Sequence, residues 1–353
     1  MDPLDPLWRQ QADPLADAVI EALGEDARPG KDLWALTKAR ATTDTRLSDF
    51  IAEVHRVASG LDEEPLEAGR RMALARAPHT FLSLLTSALV EGFASPTGVE
   101  SLASLGRPSG DVRRRAYSYA TVLRDVLQRG GLKAEGAGAS ALLRLRLDIA
   151  ALRREAPALG FDASTHGAPV SQLDLCHTLV LVDRVALRGI RSLGGKITDE
   201  EEASWSQRWR YAGRLLGVHE FLLPTNAEEA QQAYEAITAS LKPTPHSRVL
   251  VDALLGGFAL EPPFMLPRAG LDALAHHLVH PTLREPLGLA GPSRTLQSAL
   301  NVALKITSRV EDAAVRVPGG RRASARAGHW FVEANRQRVL KWMEQANYGL
   351  GAA

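Results

Sequence analysis

The chain has 353 residues, long enough for one large helical domain with extensions or for two modest ones, and a sizeable buried core is within reach. Lys plus Arg number 42 and Asp plus Glu 41, so the chain lacks the global positive field that drives nucleic-acid binding, and no nucleic-acid partner is expected. Aromatic residues are only 5% while Ala, Leu and Arg abound, which suits packed helices better than β-sandwiches, and a single cysteine excludes an intrachain disulfide.

In chain order, the opening MDPLDPLWRQQADPLADAV carries Asp where an export signal carries basic charge. No run of about 18 uncharged apolar residues follows anywhere. A cytoplasmic protein without a membrane span is the expectation. Residues 1–45 read as a leader in which Asp13-Pro14 opens a short amphipathic helix over Leu15, Ala18, Val19, Ala22 and Leu23, stopped at Gly24. Helical patterns follow at 46–59 and 64–77, then an apolar helix at 80–93 and another at 111–129. Arg113, Arg114 and Arg115 open the last of these and read as a solvated face, with an anion contact as the alternative.

The stretch LRLRLD at 143–148 alternates as a strand would, but Leu145, Ile149, Leu152 and Ala156 continue it at helical spacing, so a helix is predicted up to Pro157. A loop from 160 to 170 carries His166. Residues 171–193 form a central helix, apolar nearly all round to Val182, the pattern of a helix buried on every side. Thr198 with Glu201 supplies a capping start for a helix to Leu216, closed by Gly217. Further helices are predicted at 226–241, 245–258, 269–281, 292–309 and 327–347, and the glycines of 317–325 read as a mobile surface loop. The architecture implied is all-α: a single large helical domain at 46–260 around a buried central helix, with the leader at 1–45 and a C-terminal helical extension at 261–353.

His177 and the lone cysteine, Cys176, sit inside the central helix among Leu173, Leu175, Leu179, Val180 and Leu181. An imidazole there has to be satisfied by a hydrogen bond, a charge partner or a metal. Cys176 reads as a small buried hydrophobe. A di-iron bundle needs two Glu-x-x-His motifs, and the chain offers one Asp-x-x-His, Asp174 to His177. His276 and His280 form an i,i+4 pair that could take zinc, but they lack the glutamate of His-Glu-x-x-His and read as surface histidines. No nucleophilic triad, phosphate loop or dinucleotide fingerprint is present. Arg144 and Asp148 read as an i,i+4 pair, and salt bridges of Arg146 and Arg153 with Asp148 and Glu155 compete with any role at a cofactor.

Three blocks, LLRLRLDIAALRREA at 142–156, GAPVSQLDLCHTL at 167–179 and WRYAGRLLGVHEFLLP at 209–224, resemble in order and spacing the superfamily of rubber oxygenases and MpaB-type oxygenases. The resemblance runs from about residue 60 to about 240. It implies a haem-dependent oxygenase, or a peroxygenase-like oxidoreductase, acting on a hydrophobic small molecule with dioxygen or peroxide. With no Cys-x-x-Cys-His in the chain, the haem is expected to be non-covalent haem b. The family's proximal histidine maps to His177, or to Val180 if the helix is aligned through Asp174 and Thr178. Arg144, Arg146 and Asp148 fall where the family shapes the distal side, and Arg146 and Arg153 match arginines able to hold haem propionates. Thr178, beside His177, completes the expected cofactor set, and His177 is the expected metal ligand. The chain departs from the family at Ile149, where many relatives have histidine, and near Leu147 and Asp148, where rubber oxygenases have lysine and threonine. Those losses leave a second expectation open, a non-enzymatic helical binding module on the same scaffold. The 209–224 block reads as scaffold, with Gly213 allowing a close helix approach.

Overall fold

The computed structural model describes residues 5–345 apart from 29, 96–98, 100–111, 263 and most of 301–318. Among the described residues every regular element is helical. The leader supplies α1 (Leu7–Gln10), α2 (Pro14–Leu23) and α3 (Leu33–Ala39), followed by α4 (Thr45–Ser59), α5 (Glu67–Ala75), α6 (Ala77–Ser83), α7 (Leu89–Gly92), α8 (Val112–Val126) and α9 (Ala137–Glu155). The second half holds α10 (Gln172–Val180), α11 (Ala186–Ser192), α12 (Asp199–Leu216), α13 (Ala227–Ser240), α14 (Pro245–Gly257), α15 (Arg268–Leu278) and the long α16 (Gly320–Gln345).

Local chemistry sets the ends of these helices. The Asp13 carboxylate accepts the Ala16 amide at 3.2 Å and Pro14 takes the first helical position, so α2 starts where the sequence places it. Ser171 with Asp174, and Thr198 with Glu201, form reciprocal capping boxes at the starts of α10 and α12. Gly217, at φ +83°, ends α12. The helix over 33–39, capped by Asp32, is absent from the sequence expectation because its apolar stripe is barely two turns long.

Four expected elements differ from the structure. The central helix is interrupted at Leu181–Val185 by a wide, π-type turn, and the apolar helix expected at 80–93 starts at Ala77 and has its own π turn at Leu84–Ala88. The two π turns pack against each other. Inside the first, Asp183 and Arg184 reach Ser206 and Glu202 of α12, so the extra residue places two charged side chains against partners on the neighbouring helix. The segment 320–325 is the first part of α16 and not a loop, and α15 stops at Leu278, short of the expected 281. Of the helix expected at 292–309, residues 301 and 304–308 lie outside the described residues, and 294–300, 302, 303 and 309 are helical.

The largest core cluster joins Trp8 of the leader to α5, α8, α10, α12 and α13, and reaches Val332 of α16. A second joins 85–117 to 250–289, so the chain beyond residue 260 shares a core with residues far upstream. The third is the leader's own seat, where Ala16, Val19, Ile20, Leu33 and Trp34 pack on Leu143, Leu147 and Ala150 of α9. Each such fully buried aliphatic side chain contributes about 1.5–3 kcal/mol. α5 also lies so close to α12 that a Cβ on Gly69 would sit 2.4 Å from the Trp205 backbone nitrogen, and the Gly69 amide donates to Ser204 Oγ at 2.8 Å. A backbone cannot rotate away as a side-chain tip can. Gly69→Ala should therefore destabilise the protein by about 3 kcal/mol, read as a lowered urea midpoint with unchanged slope; a shift corresponding to well under 1 kcal/mol would show that the two helices separate freely.

Candidate functional site

His177 lies in the last turn of α10, a helix enclosed by α1, α12, α13 and the 181–185 turn. The residue is 4% exposed, and its Nε2 has no hydrogen-bond partner among the described residues. Burial, reinforced by the Arg9 charge, depresses its pKa from the ordinary 6.5 to about 4. The ring is therefore neutral at pH 7, in a shell of Leu173, Leu175, Leu179, Val180 and Leu181. A buried polar nitrogen left unpaired costs about 1–3 kcal/mol, and Nε2 meets no hydrogen-bonding group among the described residues. A neutral imidazole nitrogen is the form of histidine that can bind a metal.

Cys176, one residue away, points its chemistry elsewhere. Its Sγ donates to the Leu222 carbonyl oxygen at 3.3 Å, and burial pushes the thiol up to about 12, so it stays protonated. Asp174 accepts from the Ser171 amide and hydroxyl at 2.9 and 2.7 Å and from Ser95 Oγ at 3.0 Å; burial raises its pKa. It orders the start of the helix. Thr178 is exposed and donates to the Asp174 carbonyl oxygen at 2.9 Å, on a different side of α10 from the buried His177.

The arginines of α9 are engaged by the leader. Arg146 Nε and Nη2 donate to Asp13 at 2.5 and 3.0 Å, with both side chains about 5% exposed and the guanidinium 4.9 Å from the centre of the Phe50 ring. Arg153 pairs with Asp17 at 2.7 Å and Arg144 with Asp32 at 2.9 Å. Three leader aspartates pair with these arginines, because α9 turns them toward α2 and α3. Of the set, Arg153 keeps a buried Nη1 without a partner among the described residues. Asp148 is exposed. Leu147 is packed in the leader's cluster, whereas Ile149 packs against the cluster that holds α10. The contacts of Arg144 and Arg146 run to the leader, whereas His177 is buried in α10.

What ties the leader to α10 is Gln172. Its side-chain amide donates to the carbonyl oxygens of Ala12 and Gly217, both at 3.0 Å, its Oε1 accepts the His219 amide at 2.8 Å, and its backbone amide donates to the Gln11 carbonyl oxygen at 2.9 Å. Gly217 is required there: besides its positive φ, a Cβ would meet Asp13 Oδ2 at 2.2 Å and Arg146 Nε at 2.4 Å.

A second buried polar cluster escaped the sequence reading. Glu91 is fully buried; its carboxylate accepts from Ser87 Oγ at 3.0 Å, Tyr234 OH at 2.7 Å and the His280 amide at 2.9 Å, and it is paired with Arg188. The signal was present as single charges inside the apolar runs LLTSALVEGFA and LVLVDRVALRGI. His280 lies beyond the end of α15, with Nδ1 2.8 Å from Thr282 Oγ1 and Nε2 3.3 Å from Glu235, so the i,i+4 register with His276 is lost. No group of three or more potential metal ligands occurs among the described residues. Arg113, expected on a solvated face, pairs with Glu261 at 3.4 Å and lies over Tyr117 and Phe258.

Residues 83–309 match the family model described as "ER-bound oxygenase mpaB/B'/Rubber oxygenase, catalytic domain". The chain belongs to this family. The fold agrees: a solved structure of latex clearing protein in the closed state superposes with a TM-score of 0.68 at 18% identity, covering 94% of this chain and 91% of that one. No curated protein matches. Membership of the rubber oxygenase and MpaB family supports an oxygenase-type activity, and the α10 helix with His177 lies within the matched region. No described helix is long and apolar enough to cross a membrane.

Two measurements probe this geometry. Asp13→Ala removes the α2 cap and leaves Arg146 buried without its counter-charge, and should cost about 3–5 kcal/mol in urea unfolding; a loss below 1 kcal/mol would mean water reaches Arg146 freely. His177 resists protonation in the folded chain until about pH 4, while the unfolded chain takes up its proton near 6.5. Stability should thus fall as the pH drops from 6.5 to 4, by up to about 3 kcal/mol from this group. His177→Leu should flatten that part of the pH–stability curve, and an unchanged curve would place the ring in contact with water.

Proposed function

We propose that this chain is a haem b-dependent oxygenase, or a peroxygenase-like oxidoreductase, that acts on a hydrophobic small molecule with dioxygen or peroxide as co-substrate. One observation carries the reading: a neutral, buried histidine with an unpartnered Nε2 in the dry core of an oxygenase-family fold. His177 Nε2 would be the residue that holds the iron, and the absence of a covalent attachment motif fits a non-covalent haem. When bound, the haem iron supplies oxygen activation.

The chain's own residues have distinct parts in this reading. His177 supplies the donor atom, and the surrounding leucines exclude water. Cys176, protonated and committed to Leu222, does not compete for the metal. Arg153, with a donor to spare, is the member of the expected cofactor set suited to an anionic group, whereas Arg144 and Arg146 hold the leader in place. With Leu147 turned into the leader's cluster and Asp148 exposed, the side facing Ile149 is apolar, which suits a hydrophobic substrate. In this reading the oxygenase unit runs from 46 past 260, since the family match reaches residue 309, and the leader at 1–45 steadies it.

Protein produced with ample haem precursor should bind about one haem per chain, extractable into acidified organic solvent, with a Soret band and iron in equal amount. His177→Ala should lower haem affinity roughly tenfold or more, while His276→Ala and His280→Ala should leave it unchanged. A protein that takes up no iron under these conditions would leave the scaffold as a helical binding module; equal losses in all three variants would assign the wrong histidine.

A further inference from the structure

The outer face of α16 and the loop before α15 present an unusual combination. Trp330 is 72% exposed, although its helix buries Val332 against the core. Along the same helix Arg322, Arg326, Arg338 and Lys341 are exposed, and among the described residues no carboxylate pairs with them. Residues 322, 326, 330, 337 and 341 fall on one stripe at helical spacing. Glu333, on the same side, is committed to Arg124 and Arg336.

The neighbouring loop adds an independent observation. Phe264 packs on Phe331 with ring centres 6.3 Å apart, which brings the 260–266 loop alongside α16. In that loop Leu260 and Met265, 62% and 58% exposed, hold their side chains in water from left-handed backbone at φ +59° and +51°. Both positions are pinned by hydrogen bonds, Leu260 N to Leu266 O at 2.7 Å and Met265 N to Glu261 O at 3.0 Å. A non-glycine backbone held in this region to expose apolar side chains points to a use for them.

We infer that this surface docks peripherally on an anionic lipid bilayer, with Trp330, Met265 and Leu260 entering the interface and the α16 cations meeting lipid phosphates. The apolar groups stand as separate projections, with α16 cations nearby that pair with no carboxylate among the described residues, which suits the headgroup layer. A protein partner would call for a continuous apolar patch. The chain's net charge of +1 supplies no general attraction for polyanions, so the local patch has to provide it. The surface uses none of the residues assigned to the His177 site, and its test does not depend on haem.

Full-length protein should float with vesicles of mixed phosphatidylcholine and phosphatidylserine, remain unbound with phosphatidylcholine alone, and dissociate at high salt. Trp330→Ala and Met265→Ser should each weaken vesicle partitioning several-fold, and Arg326→Glu by about tenfold, with thermal unfolding unchanged because all three side chains lie in solvent. Quenching of tryptophan fluorescence by brominated acyl chains should vanish in Trp330→Ala. No flotation with anionic vesicles, flotation untouched by these substitutions, or saturable binding of an acidic protein or duplex DNA in place of vesicles would each overturn the inference.

Discussion

The arrangement of the site rests on one buried ion pair, Asp13 with Arg146, closed over Gly217. Three segments distant in sequence meet there: the leader, the long α9 helix and the end of α12. An isolated guanidinium in such a place would be costly, and the pair is tolerable because Asp13 takes two of its donors while Phe50 covers its face. Gln172, bonded to Ala12 and Gly217, carries the order of that junction into the first turn of α10. The histidine five residues on inherits its orientation from this chain of contacts.

Two polar groups buried deep in the molecule are treated in opposite ways. Glu91 is surrounded by Ser87, Tyr234, Arg188 and the His280 amide, so its charge is met on every side and the C-terminal part of the chain is fixed to the centre of the bundle. His177 keeps a nitrogen with no partner among the described residues and a ring held neutral. A fully satisfied cluster specifies packing; an unsatisfied nitrogen in a dry shell is available for chemistry. The two π turns pack together between these places, and each widens its helix where charged or hydroxyl-bearing side chains have to be accommodated.

Much of the fold was legible in the sequence. Asp13-Pro14, the capping box of Thr198 and Glu201, and Gly217 are local signals, and the helices begin and end by them. The helical reading of 143–156 was also correct because the apolar period outlasts the strand-like alternation. The π turns were not legible, since one added residue leaves a continuous apolar run looking the same. Partners were harder still. Arg144, Arg146 and Arg153 announced themselves as ion-pair formers, but their aspartates lie more than a hundred positions upstream, and no local pattern links them. His177 stood out because a titratable ring among leucines conflicts with its surroundings. Gly213 was read as a close-approach position, and a Cβ there would meet Leu179 and Leu223 at 2.5 and 2.6 Å.

The contact between α5 and α16 has a consequence for synthesis. Residues 67–75 find their outer cover only in residues 320–345, so some two hundred and fifty residues must be translated before the early helix is enclosed. At typical elongation rates α5 and its apolar neighbours wait roughly 10–50 s in a nascent chain that cannot complete its core. The leader can seat on α9 long before that. The histidine helix, enclosed by α1, α12, α13 and the 181–185 turn, can therefore be packed well before α16 covers α5.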